Sequence, residues 1–149
     1  MSALVLNDEQ QMLKDAAKGF LSEQAPVSQL RQLRDSEDAS GFSRELWQQM
    51  VDMGLVATLI PEAFGGSQFG QVGMGQISQQ AGRNLSVSPR LSTAIIGVSS
   101  LLLAGSAEQQ AARLPEIAAG KLVTALAVDE KARHNPRRVD TRLEQQAAG

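Results

Sequence analysis

The chain of 149 residues contains no cysteine and no tyrosine, and its only histidine is His134. The lack of cysteine excludes disulfides, thiol nucleophiles, iron–sulfur clusters and cysteine-ligated zinc. One histidine cannot build a histidine-based metal cluster, and near the C-terminus it gives no spacing for a Ser-His-Asp triad. We therefore predict no metal site in this chain.

An excess of charge of one sign is also lacking. Fourteen basic and sixteen acidic side chains give a formal net charge of -2, which provides no overall field for nucleic acid or an anionic membrane. The longest apolar stretch, LSTAIIGVSSLLLAG, has about 15 residues, fewer than the roughly 18–20 of a membrane span. The N-terminus MSALVLNDEQ lacks the features of a secretory signal. These observations predict a cytoplasmic protein without a membrane span.

Helical patterns dominate the first 120 residues. Asn7 and Gln10 form a capping-box pattern for a helix over about 8–24, which Pro26 ends. A second helix is predicted between an N-cap at Ser43 and Gly54. Further helices are predicted over about 71–83 and over 90–104, where the sequence is apolar nearly all round and indicates the middle of a helical layer.

The stretch IPEAFGG combines Pro61 with Gly65 and Gly66. Glycine permits backbone angles that are closed to other residues, so this stretch predicts a sharp reversal of the chain. Trp47, on the buried face of the second helix, is predicted to belong to the core.

The pattern changes in the last 30 residues. Ser106 and Gln109 predict a capped helix through Arg113, and Pro115 the first turn of another, closed by Gly120. KLVTALAV, 121–128, then has the apolar, partly β-branched character of a buried strand, and RVDTRLEQQ indicates a more polar one. We predict a helical domain over 1–120 and the truncated beginning of a β domain over 121–149.

In this order, the elements resemble the N-terminal part of the acyl-CoA dehydrogenases. The most specific match is FSRELWQQMVDMGLVATLIPEAFGG, with LNDEQQMLKDAAKGFLSE before it and GSAEQQAARLPEIAAGKL and TALAVDE after it. The resemblance implies a mainly all-α fold, the orthogonal helical bundle of that family's N-terminal domain, followed by the start of its β domain. It also implies oxidation of an acyl-CoA thioester to a 2-enoyl-CoA by FAD.

The resemblance covers residues 5 to about 130, and the family's catalytic glutamate belongs to a C-terminal bundle that is absent here. We therefore expect no catalytic residue in this chain, which would be an inactive N-terminal fragment that does not retain FAD. The implied partners of the intact protein are an acyl-CoA substrate, an acceptor of the electron-transfer flavoprotein type, and further subunits in a homo- or hetero-oligomer. A truncated chain that has lost an interface is also expected to self-associate.

The resemblance implies two sets of site residues. In the family, the strand and loop after the helical domain lie against the flavin, and the central helix lines the acyl pocket. The matching flavin positions are Leu126, Val128, Asp129 and Glu130. The matching pocket positions are Ser92, Ile95, Ile96 and Ser99. Asp129 takes the place of a threonine that hydrogen-bonds the flavin, which departs from the family because a carboxylate repels an electron-rich reduced ring.

Alternatives remain at this stage. AGRNLSVSPRLSTA resembles a branch that degrades steroids and other bulky acyl groups, in which enzymes can be assembled from two different subunits. A helical interaction or regulatory domain without flavin chemistry would keep the same architecture. KARHNPRR is interpreted as a solvated connector, with a CoA phosphate contact as the alternative. A helix-turn-helix DNA reader over 43–60 is disfavoured because LVATLIPEAFGG lacks Arg, Lys and Asn for base edges.

Overall fold

The computed structural model describes residues 5–37, 39–128, 130–132, 134–135, 137–142 and 144. Within these residues every regular element is helical, which confirms the predicted mainly all-α fold but not the predicted strands. The elements are α1 (Asp8–Gln24), α2 (Val27–Asp35), α3 (Arg44–Asp52), a 3₁₀ turn (Glu62–Phe64), α4 (Gly70–Arg83), a π-helical segment (Leu91–Gly97), α5 (Val98–Ala104) and α6 (Ala107–Ala118). The π segment continues directly into α5, and the two together are called the central helix below.

Helix α1 begins and ends where the sequence predicts. The Asn7 side chain accepts a hydrogen bond from the Gln10 backbone N–H at 2.8 Å, and the Gln10 side chain accepts one from the Asn7 N–H at 3.2 Å. This capping box satisfies two backbone donors that the first turn would otherwise leave unpaired. Ala17 and Leu21 are buried, and α1 packs against α4.

Helix α3 ends in a Schellman motif, as the glycine at its C-terminus predicts. Gly54 has φ +71°, its N–H donates to the Val51 carbonyl at 2.8 Å, and the Leu55 N–H donates to the Met50 carbonyl at 3.0 Å. Leu55 and Met50 are both buried, which is the apolar contact that usually accompanies this motif. The ending directs the chain into the buried stretch 55–60, the apolar centre of the domain.

The predicted corner at 60–66 is confirmed. Gly65 adopts φ +84°, and a Cβ atom on Gly66 would lie 1.9 Å from the backbone oxygen of Ile60. The Gly66 N–H donates to the Pro61 carbonyl at 3.1 Å, and the Gln68 N–H donates to the Ile60 carbonyl at 3.1 Å. Gly65 is therefore needed for its left-handed backbone angle, and Gly66 for the close approach of the Ile60 backbone oxygen. Both roles are structural.

The central helix differs from the prediction in two respects. Its first two turns are π-helical instead of α-helical, and its surface is not covered on all sides: Leu91 is 62% exposed and Leu103 is 87% exposed. Only one face is fully buried, through Thr93, Ala94 and Val98. An apolar sequence leads to burial on all sides only where neighbouring elements surround the helix. The described residues cover just one face of the central helix.

Helix α6 is one helix where the sequence predicts two. The capping box at Ser106 and Gln109 is present, but Pro115 lies inside the helix, which runs without interruption to Ala118. Proline lacks a backbone N–H and usually disrupts a helix interior. Here Leu114 and Ile117 are fully buried on either side of it, and this packing stabilises the helix through the proline.

The predicted strand over 121–128 is not formed, and neither is the second one among the described residues of 138–146. These residues have no regular secondary structure, and the side chains of 121–128 are half-buried or exposed. A strand is stabilised by backbone hydrogen bonds to a neighbouring strand, and none of the described residues supplies such a neighbour. Apolar and β-branched composition therefore predicted the wrong local structure in this chain.

Candidate functional site

The site begins at the corner that ends α6. Gly120 has φ +70°, and a Cβ atom there would lie 2.5 Å from the Val51 side chain. The Gly120 N–H donates to the Ile117 carbonyl and the Lys121 N–H to the Glu116 carbonyl, both at 2.9 Å, which completes a second Schellman motif. This corner leads the chain into segment 121–128.

Trp47 fixes this corner from the core side. Its indole Nε1 donates to the Gly120 carbonyl at 3.2 Å, and the ring is buried among core residues. The predicted core role of Trp47 is confirmed, and the side chain has a second task that its burial alone did not indicate. The hydrogen bond ties helix α3 to the point where the C-terminal segment begins.

Segment 121–128 is attached to the central helix by a pair of threonines. The hydroxyl of Thr93, which is fully buried, donates to the Thr124 carbonyl at 3.2 Å and accepts from the Thr124 N–H at 3.0 Å. The Thr124 hydroxyl donates to the Ser92 carbonyl at 3.4 Å. One threonine side chain thus satisfies both backbone groups of Thr124, as a neighbouring strand would do for a strand residue.

Gly97 makes this attachment possible. A Cβ atom at this position would lie 2.0 Å from the Thr124 hydroxyl oxygen and 3.3 Å from the Ser92 carbonyl. A glycine in a helix interior costs about 0.5–1 kcal/mol relative to alanine. Close approach of the C-terminal segment is the physical reason for a glycine at this point in the central helix.

A cleft of about 350 Å³ lies between the central helix, α6 and the C-terminal segment. Gly97 and Leu101 line one side of it, Leu122 and Leu126 the other, and Arg113 provides its only described charged group. Arg113 is half-exposed and pairs with Glu116 at 3.1 Å. A mainly apolar cleft with one positive group suits an apolar ligand that carries polar or anionic atoms at one end.

The predicted acyl-pocket residues lie on the central helix but do not line this cleft. Ser92, Ile95, Ile96 and Ser99 are all half-buried, Ile95 packs against the core, and the Ser92 hydroxyl donates to the Pro89 carbonyl at 3.0 Å. The prediction came from the resemblance to the family, and nothing in the described residues tests it. Their role in a pocket stays a prediction.

Sequence reasoning missed Gly97, Ser100 and Leu101, which are the central-helix residues that line the cleft. Gly97 carried a signal, because a lone glycine in an apolar helical pattern often marks close approach of another part of the chain. Ser100 and Leu101 carried no such signal, because their place in the cleft depends on residues that are distant in the sequence.

The residues predicted to contact the flavin differ in their exposure and hydrogen bonding. Leu126 is 56% exposed and Val128 is 38% exposed, and Leu126 lines the cleft. Asp129 lies outside the described residues. Glu130 is exposed, and its carboxylate accepts hydrogen bonds from the backbone N–H groups of Asp140 and Thr141. The flavin role of Leu126 and Val128 stays a prediction, and the Glu130 carboxylate is already engaged by Asp140 and Thr141.

Hydrogen bonding and ion pairs close the loop 130–141. Hydrogen bonds from the Thr141 side chain and from the backbone N–H groups of Asp140 and Thr141 lower the pKa of Glu130. Lys131 pairs with Asp140 at 2.7 Å, and Arg138 approaches the same carboxylate at 3.5 Å. These groups are exposed, as a solvated connector predicts. A CoA phosphate contact in this stretch stays a prediction.

Two kinds of feature are absent from the described residues: a metal-ligand group and a membrane-spanning helix. No group of three or more histidine, cysteine, aspartate or glutamate side chains in the part of the chain that the structure describes could hold a metal ion. None of the helices found there is long and apolar enough to cross a membrane.

Comparison with known proteins decides the family. The sequence model of the family "Acyl-CoA dehydrogenase, N-terminal domain" matches residues 7–121. The chain belongs to the acyl-CoA dehydrogenase family. Acyl-CoA dehydrogenase FadE28 of Mycobacterium tuberculosis is 38% identical over 79 residues, which cover 53% of this chain and 23% of that relative. The aligned part is therefore under a quarter of that relative's length.

Three solved structures share the fold of this acyl-CoA dehydrogenase chain. The ChsE4-ChsE5 complex from Mycobacterium tuberculosis matches with a TM-score of 0.79 and 22% identity, over 90% of this chain and 36% of that one. An acyl-CoA dehydrogenase complexed with FAD from Bacillus anthracis gives 0.76 and 22%, over 90% and 23%. The Tcur3481-Tcur3483 steroid ACAD G363A variant gives 0.74 and 24%, over 83% and 33%.

Proposed function

We propose that this chain is the N-terminal helical part of a FAD-dependent enzyme that oxidises an acyl-CoA thioester to a 2-enoyl-CoA. The observation that carries the proposal is the apolar cleft between the central helix and segment 121–128, in a chain whose family is established by the match over residues 7–121. The helical domain is proposed to cover 1–120, and 121–149 to begin a β domain whose remaining strands would pair with 121–128.

The cleft supports a binding role for this chain and not a catalytic one. Its described lining contains no carboxylate and no histidine that could remove the alpha proton of a thioester, and Glu116, the nearest acid along α6, is paired with Arg113. We propose that the base comes from another part of the intact protein and that this chain alone is inactive. Its own contribution is to bind the apolar part of the ligand and keep water away from it.

FAD is the proposed cofactor of the intact protein, where it would accept the beta hydride of the thioester. Leu126 and Val128 are the described residues that fit it best, because they are apolar and exposed on a segment held by Thr93 and Thr124. Contact through Asp129 and Glu130 stays part of the proposal. Both Glu130 oxygens already accept hydrogen bonds, so this carboxylate has little acceptor capacity left to offer. We do not propose that this chain retains FAD by itself.

The substrate class and the partners are proposals of lower detail. The resemblance of AGRNLSVSPRLSTA to the steroid branch, and the fold shared with a steroid ACAD, support a bulky acyl-CoA. The fold is also shared with one chain of the ChsE4-ChsE5 complex, which supports assembly with a second subunit. An acceptor of the electron-transfer flavoprotein type follows from the proposed flavin chemistry.

The proposal is tested on the protein expressed from the uninterrupted reading frame, with any neighbouring subunit, by its visible spectrum before and after acyl-CoA thioesters are added. We expect flavin absorption that bleaches with a bulky thioester. Ser100→Glu places a charge in the cleft and should weaken the bleaching at a given thioester concentration. Leu103→Glu, on the exposed side of the same helical layer, is the matched control and should leave it unchanged.

A colourless protein, alone and with its neighbour, would contradict the proposed activity. That result would favour a helical interaction or regulatory subunit that has kept the family's architecture without its chemistry. A yellow protein in which both variants bleach like the wild type would keep the enzyme and move the binding site away from this cleft.

A further inference from the structure

Arg90 is a buried cation at the start of the central helix. Only 7% of its surface is exposed, and its Nη1 atom donates to the Ser78 Oγ at 3.0 Å and contacts the Met74 Sδ at 3.3 Å. Both partners on α4 are neutral. Burial lowers the pKa of Arg90, but an arginine side chain does not lose its proton in a protein. The positive charge therefore persists inside the domain.

One edge of this guanidinium is unmatched. Its Nε atom is buried and has no hydrogen-bond partner, and no ion pair joins Arg90 to any carboxylate of the described residues. The Nε atom and the adjacent Nη2 atom form the edge with which arginine binds a carboxylate through two parallel hydrogen bonds. Buried charges in proteins are normally paired, because an unpaired one is costly.

We propose that the Nε edge of Arg90 binds a carboxylate group that the described residues do not supply. The group would be a small free carboxylate. The small exposed area of Arg90 favours a planar group of this size over a bulkier phosphate ester. Since Arg90 immediately precedes Leu91 in the π segment, an occupied site would also fix where the central helix begins.

Sodium formate, the smallest carboxylate, is the probe. The thermal unfolding midpoint of the 149-residue chain is measured in formate and in chloride at equal ionic strength and pH. We expect a saturable rise in formate relative to chloride, of about 3–6 °C at ten times the dissociation constant. Arg90→Met removes the donors and Arg90→Lys keeps the charge without the planar edge, so both should lose the rise. Arg31→Met, at an exposed arginine of α2, should keep it.

A second readout does not depend on how well the variants fold. Formate should shift the NMR signal of the Arg90 Nε–H in the wild-type chain, with the same midpoint as the thermal effect. An equal formate effect in the wild type and both Arg90 variants, or an unmoved Nε–H signal in the 149-residue chain, would overturn the proposal.

Discussion

Different contacts stabilise two parts of the chain. One part is the helical block, residues 5–120, and the other is the C-terminal part, the described residues of 121–144. The block has capped helix ends and a core whose central members, such as Leu21, Ile60 and Ile117, are fully buried. The C-terminal part is held by polar contacts, through Thr93 to Thr124 and through Glu130 to its own loop. Apart from Leu122, which packs against the core, its described apolar side chains are exposed.

This difference concerns the partners that apolar side chains find in each part. Apolar side chains in the block find partners on neighbouring helices, so their burial stabilises the fold. Leu126 and Val128 have the same apolar chemistry but no such partners among the described residues. The C-terminal part is therefore fixed at a few points, and its stability should respond to polar substitutions more than to apolar ones.

The largest effect should come from Gly66→Ala in the block. The added Cβ would lie 1.9 Å from the Ile60 backbone oxygen, and a backbone atom at the centre of a corner cannot move away cheaply. We expect a loss of about 4 kcal/mol or more in the free energy of unfolding, measured by urea denaturation with Trp47 fluorescence. Gly75→Ala is the control, since nothing lies within 4 Å of the added atom and a helical alanine should stabilise by about 0.5–1 kcal/mol.

The next effect compares the two parts directly. Ile117→Ala removes a fully buried side chain and should cost about 2–5 kcal/mol. Leu126→Ala removes an exposed one and should change stability by less than about 0.5 kcal/mol. Both are measured by urea denaturation. Equal losses would show that segment 121–128 belongs to the core and would break the comparison.

Thr93→Val should release the C-terminal segment without unfolding the block. It leaves the N–H and carbonyl of Thr124 without their partner, at a cost of about 1–2 kcal/mol. The amide hydrogen exchange of Thr124 should then accelerate by roughly 5–30-fold, while amides of α1 and α4 exchange as before. Thr93→Ser keeps the hydroxyl and should preserve slow exchange. No change in the valine variant would contradict the attachment.

The smallest effect concerns pH. Because hydrogen bonds lower the pKa of Glu130 in the folded chain, its contribution to stability is present above the ordinary glutamate pKa and is lost as pH falls through the lowered value. The Asp140 and Thr141 amide signals should shift over that acidic range, as followed by NMR. Glu130→Gln should abolish the transition. A transition at or above the ordinary glutamate pKa would contradict it.

The helices could be predicted because their signals are local. Asn7 and Gln10 cap the start of α1, Ser43 caps the start of α3, and Gly65 and Gly66 shape one turn, so each signal acts on its immediate neighbours. The family could be recognised for the same reason, since the ELW to GG stretch lies in one corner of the fold.

The irregular structure of segment 121–128, the exposure of the central helix and the position of the cleft could not be predicted, because they depend on residues that are distant in the sequence. Segment 121–128 has strand composition but no strand beside it. The cleft forms where Gly97 and Leu101 of the central helix meet the C-terminal segment, a contact that no local pattern specifies. Arg90 was missed because no local pattern marks an arginine that will be buried without an acid.

The central claim is that segment 121–128 is held to the central helix at Thr124 and is not part of a paired strand in this chain. The most direct measurement is residue-by-residue amide hydrogen exchange of the 149-residue chain. The account predicts slow exchange in the core helices, clear protection of Lys121, Leu122 and Thr124, whose N–H groups donate to Glu116 and Thr93, and fast exchange from Ala125 to Val128. Alternating protection through Val128, as in a paired strand, or fast exchange at Thr124 would contradict it.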